Sequence, residues 1–134
     1  MSIFAGTVGF ELALFAIVLI LVAGSLYIMW TAVRTLGKQW SLQARVLENH
    51  ALIRTGPYRL VRHPIYTGIL GMILAAALTW SNWLGFIVSI SLYVVGTIIR
   101  VRSEEKLLRA QFGDAFEDYK REVPAVIPLR FRRG

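Results

Sequence analysis

Two stretches of the chain are free of charge. Residues 12–33 contain no Asp, Glu, Lys or Arg, and neither do residues 63–99. At about 1.5 Å of rise per residue, the first stretch can cross a hydrocarbon core of roughly 30 Å as a helix. The second is divided by Trp80-Ser81-Asn82-Trp83, two aromatic anchors around a polar turn. It predicts two helices joined as a tight hairpin. The fold class expected is therefore all-α integral membrane, with about three transmembrane helices. One N-terminal span covers about 12–33, and the hairpin covers about 64–80 and 83–101. A cytoplasmic connecting loop runs over 34–63, and a cytoplasmic C-terminal helix and tail over 102–134. All belong to one domain, 1–134.

The two hairpin spans are near the short end of the spanning range, which tilt or local bilayer thinning accommodates. Gly68, Gly71 and Ala75 to Ala77 let the second span pack closely against a neighbour, and Gly71 reads as a packing residue. Beyond the third span, residues 100–122 read as one continuing helix with an interruption near Gly113. Phe112, Phe116 and Tyr119 recur at helical spacing and are expected to pack onto the membrane-facing core. Pro124 and Pro128 stop helix formation, and Arg130, Arg132 and Arg133 form a basic tail.

Charge sharpens this picture. The chain has 134 residues, 56% hydrophobic and 17% charged, with a formal net charge of +7. All 15 Lys and Arg fall within 34–62 and 100–134. The positive-inside rule then places the N-terminus outside and the C-terminus in the cytoplasm of a multi-pass protein, as in a bacterial inner membrane. Basic residues beside apolar spans fit anionic lipid headgroups rather than nucleic acid. No cleaved signal peptide is expected, because no Lys or Arg precedes the first apolar run and that run outlasts a typical signal core. The chain has no Cys, which excludes a disulfide framework, a thiolate nucleophile and a Cys-based metal site. His50 and His63 are too few for a metal cluster.

Candidate chemistry concentrates at the cytoplasmic ends of the second and third spans. The run Gly56 to Gly68 packs Arg59, Arg62, His63, Tyr58 and Tyr66 against the mouth of an apolar segment. His63-Pro64 opens the second span, so His63 is expected at a helix N-terminus, facing the 39–61 connection, with Tyr66 beside it. Free backbone N–H groups there suit a ligand carboxylate. Residue types alone fit an interface anchor equally well. Arg100 and Glu104 are four apart and share a helix face where the third span leaves the bilayer. An ionisable group at that depth is costly and marks function. The competing reading is a snorkelling Arg held by an intrahelical ion pair. Glu105 points elsewhere and is expected to serve Arg102, Arg109 or the loop. Gln43 and His50 flank Glu48 with no diagnostic spacing. No Gly-rich phosphate loop and no Ser-His-Asp set is present.

Together, Gly56-Pro57-Tyr58, Arg62-His63-Pro64-Ile65-Tyr66-Thr67-Gly68, Glu104-Glu105, Phe112-Gly113 and Val123-Pro124…Pro128 resemble the isoprenylcysteine carboxyl methyltransferase family. Phospholipid methyltransferases share parts of this pattern. The resemblance runs from about Gly37 to Pro128. It implies an integral-membrane enzyme that uses S-adenosyl-L-methionine and methylates lipid-borne groups. By position, it implies cofactor contacts from Gln43, His50, Ala51, Leu52, Ile53, Tyr58, His63, Pro64, Ile65 and Tyr66. It implies substrate contacts and catalysis from Arg100 and Glu104, and no metal. The chain departs from eukaryotic members in having one span before the shared region, and Phe116 stands where Tyr is common.

The chemistry suits such an enzyme. Tyr58 and Tyr66 can stack on adenine or face a sulfonium. An ionised carboxylate acceptor needs no base, and Arg100 can orient it. An amine acceptor would require Glu104 as base. The function expected is methyl transfer to a lipid-soluble or membrane-borne acceptor, with a carboxylate first and phospholipid N-methylation second. Sterol-type NADPH reductases have a similar C-terminal region, but usually show Asn where this chain has Ile65 and an acidic residue where it has Ile69. A non-enzymatic membrane assembly protein explains the spans but not the two polar clusters. An oligomer is compatible with a three-span chain that must enclose a lipid tail.

Overall fold

The computed structural model describes residues 3–37, 52–80 and 82–129, with backbone only for residues 3–6. Gln43, His50 and Ala51 lie outside the described residues. Within them are four α-helices and no strand: α1 (Ile3–Leu36), α2 (Pro64–Trp80), α3 (Trp83–Phe112) and α4 (Asp114–Glu122), with a 3-10 turn at Gly56–Arg59 before α2. The expected spans 12–33 and 83–101 lie inside longer helices, because no breaker interrupts the chain until Gly37 and Gly113.

Two helices, Thr7–Leu36 and Trp83–Phe112, are long and apolar enough to cross a membrane. Only 6% and 0% of their most apolar stretches are buried within the molecule. A soluble core helix would be mostly covered, whereas these faces need lipid. α2 has 17 residues, or roughly 26 Å, which is shorter.

Each boundary has a local cause. Asn82 caps α3, its side-chain oxygen accepting from the Gly85 N–H at 3.0 Å. Gly113, at φ 55°, ends α3 in the left-handed region and reverses the chain into α4. Gly56 also has a positive φ of 59°, and a Cβ there would sit 2.8 Å from the Thr35 hydroxyl.

α1 and α2 pack through glycine. A Cβ on Gly68 would lie 2.2 Å from Met29 Cγ and 3.0 Å from the Ser25 carbonyl, and one on Gly71 would lie 2.1 Å from Ser25 Oγ. Both glycines thus let α2 approach Ser25 closely. Gly68→Leu is expected to destabilise the detergent-solubilised protein by about 1–3 kcal/mol, read as a lower melting temperature. Gly96→Leu is the control, because nothing lies within 4 Å of its Cβ position.

The principal apolar cluster lies at the C-terminal end of α1. Ala32 and Leu36 pack with Tyr58, Phe116, Tyr119 and Val123, flanked by Leu52, Ile53, Ile65, Leu108 and Phe112. Phe116 and Tyr119 lie within this cluster and Phe112 packs against it, so all three rings are core residues as expected. Gly113 turns the chain so that the α4 rings meet the end of α1 and the 3-10 turn. The Tyr119 hydroxyl donates to the Tyr58 carbonyl at 2.6 Å, and burial pushes its pKa up to about 12.

Candidate functional site

Packing of α4 fixes the segment that enters α2. Pro57, Tyr58 and Val61 are buried, and the chain after α4 then straps the entry. The Arg62 N–H donates to the Pro124 carbonyl and the His63 N–H to the Ala125 carbonyl, both at 2.9 Å. The Thr67 hydroxyl donates to the Val126 carbonyl at 2.6 Å. Pro64 needs no N–H partner in the first turn of α2.

The strap directs His63 inward. Its ring is buried and lies between two carboxylates of α3, with Nε2 3.0 Å from Glu105 Oε1 and Nδ1 3.4 Å from Glu104 Oε2. A carboxylate only accepts, so this geometry favours a ring that donates from both nitrogens, the imidazolium form. Burial works against that charge, but the carboxylates of Glu104 and Glu105 outweigh it and hold the His63 pKa above its ordinary 6.5. His63 sits at the start of α2 as expected, and its ring faces α3. Attraction between imidazolium and paired carboxylates supplies the reason.

Of the partners expected for Glu105, the structure selects the loop. Glu105 pairs with neither Arg102 nor Arg109 but with Arg62, at 2.9 Å, and more loosely with Lys120 Nζ, at 3.8 Å. Arg62 is satisfied further by the Lys120 and Val123 carbonyls, each at 3.0 Å. Burial would raise the Glu105 pKa, but His63, Arg62 and Lys120 outweigh it and hold it below the ordinary 4.5.

These shifts set a pH window. His63 is raised on folding, so its contribution is complete below pH 6.5 and is lost as pH rises through its folded value. Glu105 is lowered, so its contribution is lost as pH falls below 4.5 through its own folded value. Melting temperature is expected to peak between these limits. In His63→Gln the fall on the alkaline side should disappear; its persistence would contradict the imidazolium.

A second, more open group adjoins the first. The Tyr66 hydroxyl donates to Glu104 Oε1 at 2.8 Å and accepts from Arg100 Nε at 3.4 Å. Arg100 Nη2 is 3.9 Å from Glu104, a long contact for an ion pair. The Arg100 side chain is 56% exposed while that of Glu104 is 8% exposed. The two share a helix face as expected, and Tyr66 bridges them. The arrangement offers an incoming group an exposed guanidinium beside a phenol and a buried carboxylate.

The other residues singled out by sequence divide by burial. Leu52, Ile53 and Ile65 pack against the apolar cluster, and Tyr58 lies within it. Tyr58 is only 7% exposed and shares its cluster with Phe116 and Tyr119. Pro64 is fully buried. Sequence reasoning missed Arg62 as a structural ion and Lys120 as a second cation near Glu105. Two adjacent acidic residues facing a basic run were the available signal. An apolar cleft of about 460 Å³, lined by Leu21, Leu74, Ala77, Leu78, Asn82, Trp83 and Phe86, lies at the far end of α2 and shares no residue with the polar cluster. Among the described residues, no group of three or more His, Cys, Asp or Glu is arranged to hold a metal ion.

The family model described as phospholipid methyltransferase matches residues 13–115. The nickel-cobalt-cadmium resistance protein NccN of Alcaligenes xylosoxydans xylosoxydans is 33% identical over 96 residues, covering 70% of this chain and 44% of that protein. The protein-S-isoprenylcysteine O-methyltransferase of Schizosaccharomyces pombe is 32% identical over 82 residues, 61% of this chain and 35% of the relative. Methanethiol S-methyltransferase 2 of Bradyrhizobium diazoefficiens is 33% identical over 76 residues, 57% of this chain and 28% of the relative. The chain thus spans less than half the length of each of these curated relatives. No solved structure gives a significant match.

Proposed function

The chain belongs to the phospholipid methyltransferase family, and on that premise we propose that it transfers a methyl group from S-adenosylmethionine to a lipid-soluble or membrane-borne acceptor. The reaction takes place beside Tyr66, Arg100 and Glu104. The observation that carries this reading is the exposed Arg100 held against Tyr66 and a buried Glu104 where α3 leaves the apolar zone. α1, α2 and α3 all cross the membrane, with the N-terminus outside and this cluster at the cytoplasmic boundary. Their apolar surfaces and the flanking basic residues support that arrangement.

The residues present fit the donor in part. A sulfonium suits the half-exposed Tyr66 ring next to a carboxylate. Bound there, the donor supplies an activated methyl group. Tyr66, the backbone from His63 to Ile65, and the Leu52–Ile53 segment would hold it, joined by Gln43, His50 and Ala51. The buried His63 ring, already engaged with both carboxylates, contributes position rather than a free hydrogen bond.

Arg100 orients the acceptor. A carboxylate is ionised at neutral pH, so it needs only to be aimed at the methyl group, and a guanidinium with exposed donors does that. A thiol must first lose its proton. The positive field of Arg100 favours the thiolate, and Glu104 is the nearest carboxylate to accept the proton. The experiment measures transfer of tritium from S-adenosyl-[methyl-³H]methionine in lipid nanodiscs. N-acetyl-S-farnesylcysteine and methanethiol are the acceptors. Transfer to the prenylated carboxylate is expected; transfer to methanethiol alone would assign the acceptor to sulfur. Transfer to neither, by folded protein that binds S-adenosylhomocysteine, would overturn both acceptor assignments.

A further inference from the structure

One face of α3 is polar well inside the apolar span. Tyr93, Thr97, Arg100 and Glu104 follow at spacings of four, three and four residues, which places them on a single stripe. Tyr93 and Thr97 are half-buried, whereas Leu92, Val94, Val95 and Ile98 around them are exposed. The stripe therefore faces α2. The Tyr93 hydroxyl donates to the backbone carbonyl of Tyr66 at 2.7 Å, and Thr97 lies one turn further along the same stripe. Among the described residues, three hydrogen bonds run between α3 and α2, and all three end on Tyr66. Its carbonyl is held by Tyr93, and its hydroxyl by Glu104 and Arg100. These grips span eleven residues of α3, roughly 16 Å.

That geometry is restrictive. In lipid, apolar contact alone distinguishes poorly between rotations of neighbouring helices, because lipid tails are as apolar as leucine. A polar bond in the same environment has a single geometry. We propose, resting on the methyl-transfer reading above, that Tyr93 is a positioning residue. Its bond to the Tyr66 carbonyl sets the rotation of α3 that aims Arg100 and Glu104 at the Tyr66 hydroxyl. Tyr93 acts through Tyr66 and touches neither donor nor acceptor.

The test uses Tyr93→Phe, which keeps the ring and removes the hydroxyl. The lipid-reconstituted variant is expected to lose about tenfold in kcat for N-acetyl-S-farnesylcysteine, because small misplacements of reacting groups are costly. The KM for S-adenosylmethionine and the affinity for S-adenosylhomocysteine should stay within about twofold, a split that a general loss of structure would not give. The chain contains no Cys, so spin labels at Met72→Cys and Val95→Cys report the α2–α3 distance directly. That distribution is expected to broaden in Tyr93→Phe. Unchanged kcat with an unchanged distribution overturns the proposal. So does equal loss of turnover and S-adenosylhomocysteine binding, which would make Tyr93 a purely structural residue. Wild-type protein that transfers no label counts against the methyl-transfer reading instead, and the spin-label distances then decide the Tyr93 clamp alone.

Discussion

Arg100→Ala is expected to lower methyl transfer about a hundredfold or more, while S-adenosylhomocysteine affinity changes by less than about twofold. The difference follows from where Arg100 lies. Its Nε meets the Tyr66 hydroxyl at 3.4 Å, but 56% of its side chain remains open. Truncation removes the cation proposed to orient the acceptor and leaves the His63–Glu105 cluster intact. Arg100→Lys should recover only part of the rate, because an ammonium lacks the planar fork that holds a carboxylate at two points. Label transfer at saturating donor gives the rate, and calorimetry gives the affinity. Equal losses in both would mean that Arg100 supports the cofactor site rather than the acceptor.

Glu105→Ala is expected to produce the largest loss of stability, about 3–5 kcal/mol. The side chains of Arg62 and Glu105 are each 9% exposed, and the His63 ring is buried against the same carboxylate oxygen. Removing Glu105 leaves two cationic groups inside the protein with their nearest counter-charge gone. The exposed Arg54–Glu122 pair provides the contrast, with side chains 41% and 65% exposed. Arg54→Ala there should cost less than about 1 kcal/mol in electrostatics, although Arg54 also lies over the Tyr119 ring. Thermal unfolding of both variants in one detergent tests the ranking. A Glu105→Ala protein as stable as Arg54→Ala would show that the buried cluster is not what ties α3 to the start of α2.

The helices were legible in the sequence because their determinants are local. Uncharged length marks α1 and α3, Trp80 to Trp83 marks the break between α2 and α3, and Gly113 marks the break before α4. The Arg100–Glu104 face was legible for the same reason, since helical periodicity fixes it. What local pattern does not encode is the partner across a long sequence gap. Glu105 was assigned to Arg102, Arg109 or the loop without a named loop partner; its ion partners include Arg62 and His63 at the end of that loop, more than forty residues earlier, and Lys120 on α4. Their approach depends on the strap at Pro124 to Val126, and a proline-containing stretch with no periodicity announces only that a helix stops. Tyr66 was read as a cofactor contact from its motif position, and only the fold shows its hydroxyl bridging the two residues assigned to the substrate. Tyr93 passed unnoticed because one tyrosine in an apolar span resembles packing until its stripe with Thr97 and Arg100 is drawn. Gln43, His50 and Ala51 stay sequence-based expectations.

The central claim is that the start of α2 and the facing surface of α3 build a site for a methyl donor. Isothermal titration of the detergent-solubilised chain with S-adenosylhomocysteine tests it most directly, with NADPH titrated in parallel. Saturable binding of S-adenosylhomocysteine, weakened in Tyr66→Ala and absent for NADPH, is the expected result. A folded protein that takes up no S-adenosylhomocysteine, or that binds NADPH in its place, would contradict it.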